Sequence, residues 1–211
     1  MIARGYVLVG GRSERMGADK ATLLIAGRPM VEYAIATLRE ICSEVYLCGS
    51  RPDLAEYAPV LPDSRESAGP LTALVAAVQH AAELGNDELA VTLPVDTPLL
   101  PARLLQMLHA RAEKSAAWAT LPLADGYPHP LSAVFSARLA RPLRDLLQAG
   151  ESKVMRALEQ TCGPAGKLDL VDLEAELTPE QRFALPAWFL NVNTPEQAGL
   201  AEQELAAPRV W

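Results

Sequence analysis

Short apolar runs that end in glycine, proline or aspartate alternate with apolar stripes of helical period along the first half of the chain. Gly5-Tyr6-Val7-Leu8-Val9 runs into Gly10-Gly11, Val45-Tyr46-Leu47-Cys48 stops at Gly49, and Val60-Leu61 precedes Asp63. Leu89-Ala90-Val91-Thr92-Leu93 closes on Pro94-Val95-Asp96-Thr97-Pro98. Between these runs Val31, Ala34, Ile35, Leu38 and Cys42 recur on one helical face. So do Leu71, Leu74, Val75, Val78 and Ala82, with Gly85 placed to end that helix. Runs of this kind read as strands buried on both faces, and their alternation with helices predicts βαβ units on a parallel sheet.

The second half is less regular. Its composition predicts strands over 117–121, 131–135, 168–171 and 188–192, and helices over 101–113, 137–148, 153–159 and 195–206, Pro101 standing in the first turn of the first of these. The expected fold class is α/β, a three-layer α/β/α sandwich around a Rossmann-like, mostly parallel sheet. One domain is expected over 1–211, in two halves of about 1–100 and 101–211. Ligands of such sheets collect at the carboxyl ends of the strands.

Composition sets the outer limits. Half of the 211 residues are hydrophobic, too many for a disordered chain. The net charge of −7 makes nucleic acid and anionic membrane poor partners. No segment approaches the roughly 18 uninterrupted apolar residues of a membrane span, and no signal peptide is visible at the start. Three cysteines, Cys42, Cys48 and Cys162, lack metal-ligand spacing and form an odd set, so reduced, structural thiols in the cytoplasm are expected.

The carboxyl-end rule points first to Leu8-Val9-Gly10-Gly11-Arg12-Ser13-Glu14-Arg15-Met16-Gly17-Ala18-Asp19-Lys20. Its glycines let backbone N–H groups approach a phosphate, and Arg12, Arg15 and Lys20 concentrate positive charge there. The first 28 residues hold five basic side chains against Glu14 and Asp19, opposite in sign to the whole chain. The loop is neither a P-loop nor a dinucleotide fingerprint. Asp96, directly after an apolar strand, is of the type that holds Mg²⁺ together with substrate phosphates. Asp63 stands at the equivalent place after a shorter strand. Alone, each of these aspartates reads more readily as a turn or loop residue.

Taken together, Leu8-Val9-Gly10-Gly11-x-Ser13-x-Arg15-Met16-Gly17-x-Asp19-Lys20-x-x-Leu23 and Gly27-x-Pro29-Met30 resemble the signature of the MobA-like nucleotidyltransferases, which include the molybdenum cofactor guanylyltransferases. The resemblance continues through Asp63, Ala68-Gly69-Pro70-Leu71, Pro94-x-Asp96-Thr97-Pro98, Ala149-Gly150-Glu151 with Val154-Met155, and Asn191-Val192-Asn193-Thr194-Pro195-Glu196. It implies a fold of nucleotide-diphospho-sugar transferase type. It also implies transfer of GMP from GTP to molybdenum-bearing molybdopterin, with Mg²⁺ as cofactor and pyrophosphate as the second product.

By the same resemblance Leu8, Val9, Gly10 and Gly11 border the nucleotide, Lys20 contacts its phosphates with help from Arg15, and Asp63 belongs to the GTP site. Asp96 binds both metal and nucleotide. Two departures stand out: Val9 where the family often has alanine, and Gly49-Ser50 where some members carry a nucleotide-contacting asparagine. Ser50 offers a hydroxyl in its place.

For the acceptor, Lys153 and Arg156 are three apart on one expected helix face, and Asn191 and Asn193 would share one face of a strand. His129, in Tyr127-Pro128-His129-Pro130, reads as structural. Transient contact with a protein that delivers the pterin or a molybdoenzyme that receives the product is a further expectation. Alternatives are a molybdopterin cytidylyltransferase or another small-molecule nucleotidyltransferase, and a non-catalytic carrier of nucleotide or pterin.

Overall fold

The computed structural model describes residues 2–10, 19–63 and 69–207. In chain order the elements are β1 (Ile2–Leu8), β2 (Leu24–Ile25), β3 (Arg28–Pro29), α1 (Met30–Arg39), β4 (Cys42–Cys48), β5 (Val60–Leu61), α2 (Pro70–Ala82), β6 (Leu89–Pro94) and α3 (Ala102–Ser115). There follow β7 (Ala119–Ala124), β8 (Tyr127–Pro128), β9 (Val134–Ser136), α4 (Ala140–Gln148), α5 (Val154–Cys162), β10 (Leu168–Asp172), α6 (Leu173–Glu176), α7 (Pro179–Trp188) and α8 (Pro195–Ala206). The main sheet runs β10-β7-β9-β6-β1-β4-β5, with β8 against β7, so strands from both halves of the chain share it. Within it only β9 and the short β8 run antiparallel to their neighbours. The mostly parallel, three-layer α/β/α arrangement expected from the alternation is therefore present.

Strand alternation explains the layering. In β1, Tyr6 and Leu8 join one core with α2, α4 and α5, while Val7 and the following Val9 join the other with α1, α3, α6 and α7. Tyr6 and Val7 are fully buried. A smaller cluster of Ile25, Met30, Val192, Ala198 and Ala201 ties the β2–β3 hairpin to α8. Among the described residues no helix is long and apolar enough to cross a membrane. Each cysteine is a buried free thiol, and burial pushes Cys42 up to about 12 and Cys162 up to about 11.

Several boundaries differ from expectation. Helix α1 ends at Arg39, and Cys42, expected on its stripe, instead opens β4, because three and four residues after Leu38 the chain has already turned. Pro101 is the cap before α3, in extended conformation, rather than part of its first turn. The strands expected over 117–121 and 131–135 lie at 119–124 and 134–136.

The strand expected over 188–192 does not exist. Trp188 closes α7, and 189–193 pair with no strand. The apolar run there is buried because it packs between layers, not because it joins the sheet. Helix α7 itself is masked in the sequence by Pro186 in its interior, a residue that removes one helical hydrogen bond. Its signal is Thr178 with Gln181, which form a capping box at the start.

Leu93 is fully buried against the α1/α3 layer at the end of β6. Leu93→Ala is expected to lose about 2–5 kcal/mol of stability, read as a lower denaturant midpoint with an unchanged slope.

Candidate active site

Strands β4, β1 and β6 lie side by side and parallel, so the segments leaving them meet at one edge of the sheet. Backbone hydrogen bonds continue the register beyond the strands: Val9 N–H to the Cys48 carbonyl at 3.0 Å, and Val95 N–H to that of Leu8 at 3.1 Å. Leu8 and Val9 are thereby buried walls, and Gly10 is exposed above Ala73 of α2. Gly11 and Arg15, expected in the nucleotide loop, lie outside the described residues.

Lys20 and Asp96, 76 positions apart, come together at this edge: the ammonium is 3.4 Å from Asp96 Oδ2, each side chain about one-fifth to one-quarter exposed (20% and 24%). Asn193 Oδ1 accepts a second hydrogen bond from Lys20 Nζ. The segment carrying Asn193 is pinned by Val192 N–H on the Asp96 carbonyl at 2.8 Å and by Asn193 N–H on Gln197 Oε1 at 2.7 Å. Asn193, expected on the acceptor side, thus stands in the Lys20 corner. Asn191 turns back on the Phe189 carbonyl at 3.5 Å, so the two asparagines do not act as neighbours on a strand face.

Asp63 follows β5 and faces the start of α2. The Thr72 hydroxyl lies 2.6 Å from the Gly69 carbonyl and only 3.5 Å from Asp63 Oδ2, so its proton goes to the carbonyl. The Ser50 N–H reaches the carboxylate, while Asp63 Oδ1 is buried and has no hydrogen-bond partner among the described residues. Burial raises the Asp63 pKa, the nearby Thr72 hydroxyl and the Ser50 N–H opposing it only in part. A buried acceptor without a donor is rare in folded proteins and suits a group that waits for a ligand donor. Ser50 is exposed, and its backbone rather than its hydroxyl makes the described contact.

The loop before α5 approaches the same edge, since a Cβ on Gly69 would stand 3.8 Å from the Ser152 carbonyl. Lys153 is the cap of α5, with extended backbone, and Arg156 donates to Glu151 Oε2 at 3.2 Å. The pair therefore does not share a helix face. Arg156 is held by Glu151, which also accepts the N–H groups of Ser152 and Lys153 at 2.9 Å each. His129 stacks on Phe189 with ring centres 3.9 Å apart, and burial holds its pKa below the usual histidine value. A neutral, packed ring is what a structural histidine requires.

Sequence reasoning missed Arg51, whose guanidinium joins Asp19 to Asp53 behind Lys20. The signal is an arginine shortly beyond a strand that ends at the functional edge. It also missed the reason for Gly49, which has φ of +150°; a Cβ there would stand 3.1 Å from Val9 Cγ2 and 3.3 Å from Gly10 N. Val9 in place of a smaller residue is accommodated by that missing side chain.

An ammonium of the kind that meets phosphates, a carboxylate beside it and a second, under-partnered carboxylate at the carboxyl ends of a parallel sheet define a nucleotide-handling α/β protein. The MobA-like NTP transferase domain matches residues 5–162, and the chain belongs to that family. It is 32% identical over 206 residues to the molybdenum cofactor guanylyltransferase of Rhizobium leguminosarum bv. trifolii, covering 97% of this chain and 94% of the relative. It is 34% identical over 207 residues to that of Cereibacter sphaeroides, covering 95% and 96%. The molybdopterin-guanine dinucleotide biosynthesis protein A of Archaeoglobus fulgidus has the same fold, with a TM-score of 0.78, 23% identity and coverage of 96% and 98%.

The raised pKa of Asp63 has a definite consequence for stability. The folded state holds this proton to higher pH than the unfolded chain, so the carboxylate subtracts stability as pH rises from its ordinary value of 3.8 through the folded pKa. Asp63→Asn is expected to melt above the parent at neutral pH, with the gain vanishing below the unfolded pKa. Calorimetric melts across that range check it.

Proposed function

We propose that the chain transfers GMP from GTP to molybdenum-bearing molybdopterin, giving the guanine dinucleotide form and pyrophosphate. The observation that carries this reading is the meeting of Lys20 and Asp96 at the carboxyl ends of β1 and β6. The choice of GTP and pterin follows the relatives, which are named for that activity. The reaction needs no covalent enzyme intermediate. A terminal phosphate oxygen of the pterin attacks the α-phosphorus of GTP, the bond to the bridging oxygen breaks, and pyrophosphate leaves. Positioning and neutralisation of charge then supply most of the rate.

Lys20 has three donors, of which Asp96 and Asn193 take two, and it offers the third to the phosphates. Asp63 Oδ1 accepts from the nucleotide and so gains a donor that it does not find among the described residues. Among the described residues no group of three or more histidine, cysteine, aspartate or glutamate side chains is placed to hold an ion alone. The donor set fits Mg²⁺ that arrives with the triphosphate and is held by Asp96, since that ion keeps substrate oxygens and water as most of its ligands. When bound it withdraws charge from the phosphates and screens their repulsion of an anionic acceptor. Lys153 and Arg156, on and just after the loop that approaches the α2 start at Ser152, supply positive charge for the acceptor, and the three buried thiols suit a cytoplasmic site of action.

Purified protein with Mg²⁺, molybdate and molybdopterin is expected to release pyrophosphate with GTP and not with CTP, ATP or UTP. Turnover with CTP alone selects a cytidylyltransferase, and nucleotide binding without product selects a carrier. Asp96→Asn is expected to lower the GMP-transfer rate by at least about a hundredfold while preserving the fold. Wild-type turnover in that variant removes Asp96 from the reaction.

A further inference from the structure

We propose that Arg51 is a positioning residue for Lys20: by holding Asp19 it fixes the backbone that carries the lysine, and hence where the lysine ammonium stands. The proposal rests on the reading of Lys20 as the contact to the triphosphate. Arg51 is only 5% exposed, which is unusual for a charged side chain. Its guanidinium forks onto two carboxylates at once. Nη1 donates to Asp19 Oδ1 at 2.9 Å and Nη2 to Asp19 Oδ2, while Nε donates to Asp53 Oδ1 at 2.9 Å and Nη2 to Asp53 Oδ2 at 2.6 Å. So committed, it acts on a bound phosphate only through what it holds.

What it holds is the residue before Lys20. Asp19 Oδ1 also accepts the N–H of Ala21 at 3.2 Å, so one carboxylate is tied to Arg51 and to the residue after the lysine. Val31 N–H on the Ala21 carbonyl at 2.9 Å and Met30 N–H on that of Leu23 at 2.9 Å carry the tie on into α1. On the other side, Arg51 N–H donates to the Gly49 carbonyl at 2.8 Å, and Gly49 packs on Val9 and Gly10, where the same loop departs from β1. The segment 49–51 therefore bears on the departure of the loop and on its return. A long, flexible lysine side chain meets Asp96 and Asn193 only if its backbone is placed correctly, and a planar, bidentate arginine is the side chain suited to place it.

The test is calorimetric titration of Arg51→Met, Lys20→Ala and the double variant with GTP and Mg²⁺, with thermal melts to confirm folding. Each single variant is expected to weaken binding by roughly tenfold to a hundredfold. The double variant is expected to bind no more weakly than Lys20→Ala alone, because the arginine acts through the lysine. Asp19→Asn should follow Arg51→Met. If Arg51→Met fails to fold, Arg51→Lys, which keeps the charge and loses the fork, takes its place in the same cycle. Unchanged GTP affinity in a folded Arg51 variant, or losses that multiply in the double variant, overturns the positioning role. Unchanged affinity in Lys20→Ala overturns the reading of the lysine, and the positioning role with it.

Discussion

Everything at the functional edge depends on β1 being held between β4 and β6 in parallel register. From Gly5 onward a strand so placed has hydrogen bonds on both sides and a packed layer on both faces, which is why Tyr6, Val7 and Leu8 are buried without alternation. The consequence is chemical as well as structural. Three chain segments leave neighbouring strands of the sheet in the same direction, and side chains remote in sequence are delivered to one edge. Backbone bonds from Val9 and Val95 extend that discipline one residue past the strands, to the point where polar side chains begin.

Much of this is legible in the sequence because parallel strands buried on both faces leave a plain mark: a short apolar run followed by a turn residue. That mark places Asp63 and Asp96 at strand ends, and only the family signature separates them, with Lys20, from ordinary turn residues. What escapes is information that lies in contacts rather than in runs. Arg51 looks like any arginine before a proline until Asp19 and Asp53 are seen around it. The segment 189–193 has the composition of a strand, yet its burial comes from packing against the end of β6 and from one bond to the Asp96 carbonyl. Asn191 and Asn193 read as a pair, but without a strand their side chains part company. Helix α7 shows the opposite case, in which a local capping signal outweighs an interior proline that suggests a break.

The distribution of charge follows the same division between surface and edge. A chain of net charge −7 keeps its excess of carboxylates mostly exposed, where water screens them. At the edge the carboxylates are few and differ in role. Asp19 is consumed by Arg51, Asp96 faces Lys20, and Asp63 is left short of donors. Val9 and Gly49 add a steric counterpart, since the larger residue at one position is tolerated only because the other has no side chain. A side chain at position 49 would meet the Gly10 backbone as well as the Val9 side chain, so a smaller residue at position 9 would relieve only part of the crowding.

The contact between Lys20 and Asn193 spans 173 positions. Pairings so distant close late, because the intervening chain must already be ordered before they reward the loss of freedom. During synthesis the lysine and both site aspartates emerge long before the amide that steadies the lysine. The lysine is thus held from two distant parts of the chain, by Asp96 after β6 and by the segment just ahead of α8.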